Sequence, residues 1–196
     1  MKLSVVTGLL LFCLGANAQK TSYTDSLKKF QQEYVSTHEV VKAEDRKYFR
    51  FFSIDKKYRV VAGFEKIDDA KGFIMKTSGT KTKQYFKYGL LTFKINNKTY
   101  HLTVYQSEQL MKDDKYKDYL FVPYTDLTSA GKSYPGGKYL DFRLDDIKNN
   151  TLVIDFNKAY NPYCAYTTGY NCPIPPREND LPVAIKAGEM NFGKSH

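Results

Sequence analysis

Gly89-Leu-Leu-Thr-Phe-Lys-Ile95, Asn96-Asn97 and, after Lys98, Thr99-Tyr-His-Leu-Thr-Val-Tyr105 read as two strands joined by a tight turn, and this reading decides the fold class. Both arms are rich in β-branched and aromatic residues, and Asn tolerates the positive φ that a two-residue hairpin turn demands. Upstream, Phe49–Ile54, Tyr58–Phe64, Gly72–Ser78 and Thr82–Lys87 repeat the composition at short intervals, with a second tight hairpin expected at Ser78-Gly79-Thr80. Downstream come Tyr119–Tyr124, with Pro123 marking the end of its strand character, then Lys138–Leu144 after the Pro135-Gly-Gly137 turn, and Thr151–Phe156 after Asn149-Asn150. Strands this closely spaced leave no room for βαβ crossovers, so the expected fold is mainly β: an antiparallel sheet forming a sandwich or barrel-like domain. In Lys138–Leu144, alternation sets Tyr139, Asp141 and Arg143 on one face and Leu140, Phe142 and Leu144 on the other, the apolar set being the buried one.

Before the strands, Tyr23, Leu27, Phe30, Tyr34 and Val41 recur at helical spacing, with Ser22 or Thr24 as N-cap, and predict a helix over residues 22–45. His38, among charged residues, is expected to be exposed or capping. A single β-rich domain then spans residues 46–192, followed to its end by a Pro/Cys-rich loop. No internal repeat, low-complexity tract or linker interrupts it.

Met1–Ala18 has the layout of a secretory signal peptide: Lys2, an apolar core over Leu3–Leu14, and Ala16-Asn-Ala18 as the cleavage signal. The expected location is therefore periplasmic or extracellular. Cys13 raises a lipoprotein alternative, which Phe12 disfavours because lipidation sites take a small residue there. The apolar run is shorter than the ~20 residues of a permanent span, and no later run matches it, so no integral membrane segment is expected.

The formal charge is +9, and 17 Tyr stand beside no Trp. The lysines are scattered and interleaved with acids, whereas a nucleic-acid groove gathers its cations on one face; no nucleic-acid partner is expected. Tyr presents an apolar ring with a polar tip, which suits half-exposed strands and binding faces alike. Nothing in the sequence specifies an oligomeric state.

The densest cluster of special-geometry residues is Asp155–Glu189, which holds Cys164, Cys172 and five of the seven prolines. Together with Tyr58-Arg-Val-Val-Ala-Gly-Phe64, Tyr88-Gly-Leu-Leu-Thr-Phe93, Tyr119-Leu-Phe-Val-Pro123 and Pro135-Gly-Gly-Lys-Tyr-Leu-Asp141, its motifs Asp155-Phe-Asn-Lys-Ala-Tyr-Asn-Pro162, Cys172-Pro-Ile-Pro-Pro-Arg-Glu-Asn179 and Leu181-Pro-Val-Ala-Ile-Lys-Ala-Gly-Glu189 resemble the DUF1684 family, over roughly Phe49 to Glu189. The family is a domain of unknown function. The resemblance implies one domain and no particular chemistry.

In an exported chain, Cys164 and Cys172, with seven residues between them, most simply form a disulfide. A zinc site would need two further ligands, and neither His101 nor His196 is close in sequence. A free Cys164 or Cys172 could act as a nucleophile beside His101, although a strand-face histidine is more ordinarily bonded to a neighbour. Asp141, Asp155 and Glu178 are the carboxylates available for acid–base hydrolysis. Against that stands a structural role, in which Asp155, Asn157, Asn161 and Asn179 satisfy backbone groups of a segment whose prolines cannot donate, and Arg177 and Glu178 satisfy each other or the loop. The binding alternative places a small molecule or carbohydrate between Tyr160, Tyr163, Tyr166 and Tyr170, oriented by Asn157, Asn161, Arg177, Glu178 and Asn179. No Gly-x-Ser-x-Gly elbow, phosphate loop or dinucleotide fingerprint occurs; no cofactor or metal is expected. An exported binding or structural module is the first expectation and a secreted hydrolase the second.

Overall fold

The computed structural model describes residues 22–129 and 131–194; the expected leader at residues 1–18, including Cys13, lies outside them. Helix α1 spans Tyr23–Thr37, and the Ser22 side chain caps it by accepting the Asp25 N–H at 3.1 Å. The helix stops well short of residue 45. At its end His38 turns extended, with φ −60° and ψ 124°, and its Nδ1 accepts the Val41 N–H at 3.2 Å. His38 caps as expected but is not exposed: Tyr166, Phe49 and Tyr34 box its ring in, with centroids at 4.6, 5.0 and 5.3 Å. Burying the ring in this aromatic nest favours the neutral imidazole, and burial followed by the Arg46 charge pushes its pKa down to about 4. A 3₁₀ segment, Ala43–Tyr48, completes the entry.

The expected strand Phe49–Ile54 does not form. Phe51 makes one bridge to Glu189, and Phe52 donates to the Gly188 carbonyl. The neighbour along this stretch is the irregular C-terminal segment, which offers no ladder to continue, so the aromatic side chains pack on Tyr34 and Tyr166 instead.

The remaining expectation holds in outline. Strands β1 (Arg59–Lys66), β2 (Phe73–Met75), β3 (Lys83–Ile95), β4 (Lys98–Ser107), β5 (Tyr119–Asp126), β6 (Lys138–Arg143) and β7 (Thr151–Asp155) form an antiparallel sheet in the order β6-β5-β4-β3-β1-β7, with β2 beside the first half of β3. A two-residue strand β8 (Asp180–Leu181) pairs in parallel with the end of β5, and a one-turn helix α2 (Glu108–Met111) follows β4. The sheet curls into a half-barrel. Both Asn-Asn turns take left-handed backbone, φ 50° and 62° at Asn96 and Asn97 and 51° and 55° at Asn149 and Asn150, which is the conformation that tight hairpins require.

Two expected strands, Thr82–Lys87 and Gly89–Ile95, merge into β3 across a bulge between Lys87 and Gly89. Glycine is needed at the bulge because a Cβ at residue 89 would overlap the Phe64 ring and sit 2.9 Å from the Glu65 carbonyl oxygen. The bulge divides the strand's partners: β2 pairs with its first half (Phe73 opposite Tyr85) and β1 with its second (Gly63 opposite Thr92). The β2–β3 connection is a wider loop than the tight turn expected at Ser78-Gly79-Thr80, since pairing ends at Met75 opposite Lys83.

The concave face is filled by Leu91, Leu102, Val122, Leu140, Ile154 and Phe156 with their neighbours. A second cluster, Met75, Tyr85, Tyr105, Phe121 and Tyr139, covers part of the opposite face. This explains why Tyr139 is buried together with Leu140 although they alternate: both faces of β6 are covered at that end. Where β5 ends and β6 begins, Lys138 and Asp126 are wholly buried, ammonium to Oδ2 3.1 Å. The ammonium also donates to the Ile185 and Ala187 carbonyls at 3.2 and 3.3 Å, while Asp126 Oδ1 accepts from Thr128 and Ile185. Burial lowers the Lys138 pKa, and Asp126 opposes that shift.

Candidate functional site

The Pro/Cys segment folds back over the β2–β3 loop. The Cys164 and Cys172 sulfurs are at disulfide distance, with Cα atoms 6.4 Å apart, and the small ring they close is stitched to the loop opposite. The Ser78 N–H donates to the Cys172 carbonyl (2.9 Å), the Cys172 N–H to Ser78 Oγ (3.0 Å), and Ser78 Oγ to the Tyr170 carbonyl (3.2 Å). The Lys81 N–H donates to Asn171 Oδ1 at 2.9 Å, and the Ile174 N–H to the Lys76 carbonyl at 2.8 Å. Gly79 permits this approach, because any Cβ there would strike the Asn171 carboxamide.

Between the two loops lies a hollow of about 530 Å³. Tyr139, Tyr160, Tyr163 and Tyr170 form its aromatic walls, and Lys81 and Lys83 its charged rim. The rings stand edge to face, 5.1 Å between Tyr163 and Tyr170 and 5.9 Å between Tyr139 and Tyr160. Three hydroxyls are already committed: Tyr139 donates to the Pro173 carbonyl, Tyr160 to Asp141 (2.7 Å) and Tyr163 to Glu39 (2.9 Å). The walls therefore offer ring surface, with Gln109 and Asn171 as neutral polar groups. Partial burial, then Glu39, pushes the Tyr163 hydroxyl up to about 12.

Of the residues the sequence nominated for a ligand, Tyr160, Tyr163 and Tyr170 line this hollow, whereas Tyr166 is buried against Glu189. Asn157, Asn161 and Asn179 are buried and bonded to backbone groups, although the Asn161 Oδ1 finds no partner among the described residues. Asn157 accepts the Asp55 N–H (3.0 Å) and donates to the Asp55 carbonyl (2.9 Å); Asn161 donates to the Met190 carbonyl (2.8 Å). Asn179 accepts the Thr103 N–H (2.7 Å) and donates to the Thr103 and Pro123 carbonyls (2.9 and 2.7 Å). Arg177 and Glu178 are exposed and line a separate hollow with Phe73, Met75 and Pro175. They do not pair with each other, the first of the two expected arrangements. Lys87 reaches Glu178 first, at 2.8 Å, and the Tyr105 hydroxyl adds a bond at 3.1 Å.

The nominated catalytic groups are dispersed. Asp155 takes the Tyr23 hydroxyl at 3.0 Å and the Asn157 N–H at 3.1 Å. Asp141 and Asp155 do line one groove, of about 340 Å³, with Arg59 and Lys158. His101 lies on the exposed side of the β3–β4 hairpin, its Nδ1 3.0 Å from Thr92 Oγ1 on the facing strand. Cys164 stands at disulfide distance from Cys172, and His101 bonds Thr92 instead.

Sequence reasoning missed Lys81, Lys83 and Glu189. The lysines looked like scattered surface charge, and only the folding of the disulfide loop over them makes a rim. Glu189 is wholly buried, held by the Tyr166 hydroxyl (2.7 Å), the Asn161 N–H (2.9 Å) and the Tyr34 hydroxyl (3.2 Å). Burial pushes its carboxyl up to about 7, with the Tyr166, Asn161 and Tyr34 hydrogen bonds opposing. The sequence carried no local signal for it, because its partners Tyr34, Asn161 and Tyr166 are brought to Glu189 only by tertiary folding.

No helix among the described residues is long and apolar enough to cross a membrane. Residues 45–190 match the profile described as DUF1684, a protein of unknown function. Among solved structures, the chain is similar to the uncharacterized protein from gene locus rrnAC0354 of Haloarcula marismortui, determined by solution NMR. Identity is 30%, TM-score 0.64, and the match covers 84% of this chain and 92% of that one. No curated protein matches.

Proposed function

Because this chain belongs to the DUF1684 family, whose description names no activity, we propose from the site itself that it is a non-enzymatic module binding a small molecule or carbohydrate between the disulfide loop and the β2–β3 loop. The observation that carries this reading is a tyrosine-walled hollow built by loops on a sheet whose concave face is already filled. Rigidly supported loops are where ligand sites concentrate, and flat rings flanked by a few polar groups suit a sugar face. Export to the periplasm or exterior, inferred from the N-terminal sequence, agrees with a disulfide in the wall. Purified mature protein beginning at Gln19 in the exported fraction is the expected outcome of cell fractionation.

The binding test is an NMR titration of the full mature chain with a saccharide panel. Saturable shifts of Tyr139, Tyr163 and Tyr170 resonances are expected, and their loss in Tyr163→Ala. A panel that leaves these resonances unmoved sinks the reading. A second reading, a hydrolase, draws on the shared groove of Asp141 and Asp155. Its test is cleavage of aryl glycosides that disappears in Asp141→Asn.

A further inference from the structure

We propose that the ligand of this hollow is an acidic saccharide, a sugar bearing a carboxylate or phosphate, whose anion is held between Lys81 and Lys83 while its ring lies on the tyrosine walls. The inference rests on the binding reading above and names the ligand class. The rim holds two ammonium groups, and no Asp or Glu lines the hollow. Among the described residues neither lysine makes an ion pair, and the two share one hollow with no carboxylate in its lining to neutralise them.

Both lysines are also positioned rather than loosely displayed. The Lys81 backbone is fixed from both sides, its N–H on Asn171 and its carbonyl accepting the Thr77 hydroxyl at 2.6 Å. Lys83 begins β3, opposite Met75. Only Thr82 lies between them in sequence, and both side chains line the same hollow. Lys83 is half-buried, and burial followed by the Lys81 charge lowers its pKa. Two like charges brought together without a counter-ion are relieved by a bound anion, and a hydrogen bond between ionised partners is about twice as strong as a neutral one.

A lone oxyanion would leave most of the hollow empty. The tyrosine hydroxyls of residues 139, 160 and 163 are tied to protein acceptors, so ring surface is what remains for an apolar or sugar face. The geometry calls for a ligand with an anionic end and a ring-sized body.

The test is a glycan array of neutral saccharides matched to uronate-, sialate- and phosphate-bearing counterparts, probed with the full mature chain, with solution affinities for the best pair. The acidic member is expected to bind at least about tenfold tighter, equivalent to 1.4 kcal/mol. Raising the salt should erode that preference, and Lys81→Met/Lys83→Met should reduce it to within twofold while the thermal melt stays unchanged. Equal binding of neutral and acidic members overturns the anion inference and leaves the pocket reading standing. Inorganic phosphate binding as tightly as the acidic sugar, indifferent to Tyr163→Ala, overturns the saccharide half. No binding anywhere on the array overturns both.

Discussion

The carboxamide of Asn179 stands where Pro123 leaves the sheet short of a partner: its Nδ2 donates to the Pro123 carbonyl at 2.7 Å and to the Thr103 carbonyl at 2.9 Å, while its Oδ1 takes the Thr103 N–H. Strands β4 and β5 pair directly only at Tyr105 opposite Phe121. A side chain thus serves as a rung between them, and the chain continues from it straight into β8 alongside β5.

Asn179→Ala should therefore cost about 2–4 kcal/mol, because it strands a buried donor and two buried carbonyls. Urea denaturation gives the loss, and hydrogen exchange should show the Thr103 amide deprotected. An unchanged Thr103 exchange rate would mean that the rung is dispensable.

Lys138→Met leaves the wholly buried Asp126 without its cation and should destabilise by roughly 3–5 kcal/mol. Adding Asp126→Asn should recover part of the loss, since the amide oxygen can still accept from Thr128 and Ile185. A double variant no more stable than Lys138→Met argues against a charge-based cost.

The Glu189 carboxyl, raised from 4.5 to about 7, gives a defined pH signature. A carboxyl whose folded pKa exceeds its unfolded value contributes stability that is complete below pH 4.5 and is lost as pH rises through 7. Glu189→Gln mimics the protonated form, so it should gain stability relative to wild type across that window and change little below it. His38 works in the opposite sense: its depressed pKa of about 4 removes stability as pH falls from 6.5. Denaturant midpoints of wild type and Glu189→Gln at pH 4.5 and 8 separate the two. A constant difference between the proteins rules out Glu189 as the titrating group.

Mature protein should contain no titratable thiol, and Cys164→Ser/Cys172→Ser should lose something like 2–3 kcal/mol by the loop-entropy argument. The same variant should weaken ligand binding, because Cys172 and the residues its bond holds in place form one wall of the hollow. Stability lost with binding intact would separate the bond from the site.

The sheet was readable because its signals are local. Alternation and the two Asn-Asn turns act over a handful of residues, and the turns appear where the sequence puts them. The irregular parts were not, since their conformation is set by distant partners. Phe49–Ile54 has strand composition but meets the C-terminal segment in place of a ladder. His38 sits among charges in sequence and among rings in space. The structural reading of Asn157, Asn161 and Asn179 was available from the nearby prolines, yet their acceptors, from Asp55 to Pro123, were not. The rim of the hollow was invisible because Lys81 and Lys83 meet the tyrosine walls only through tertiary folding.

Helix α1 has a further consequence. Two of its polar anchors, Tyr23 to Asp155 and Tyr34 to Glu189, span 132 and 155 residues of chain. Everything that fastens the first described element in these bonds is therefore made last. During synthesis α1 can meet Phe49 and Phe51 early, but these two anchors wait for residues 155 and 189, and a chain ending before residue 189 would leave Tyr34 without its carboxylate.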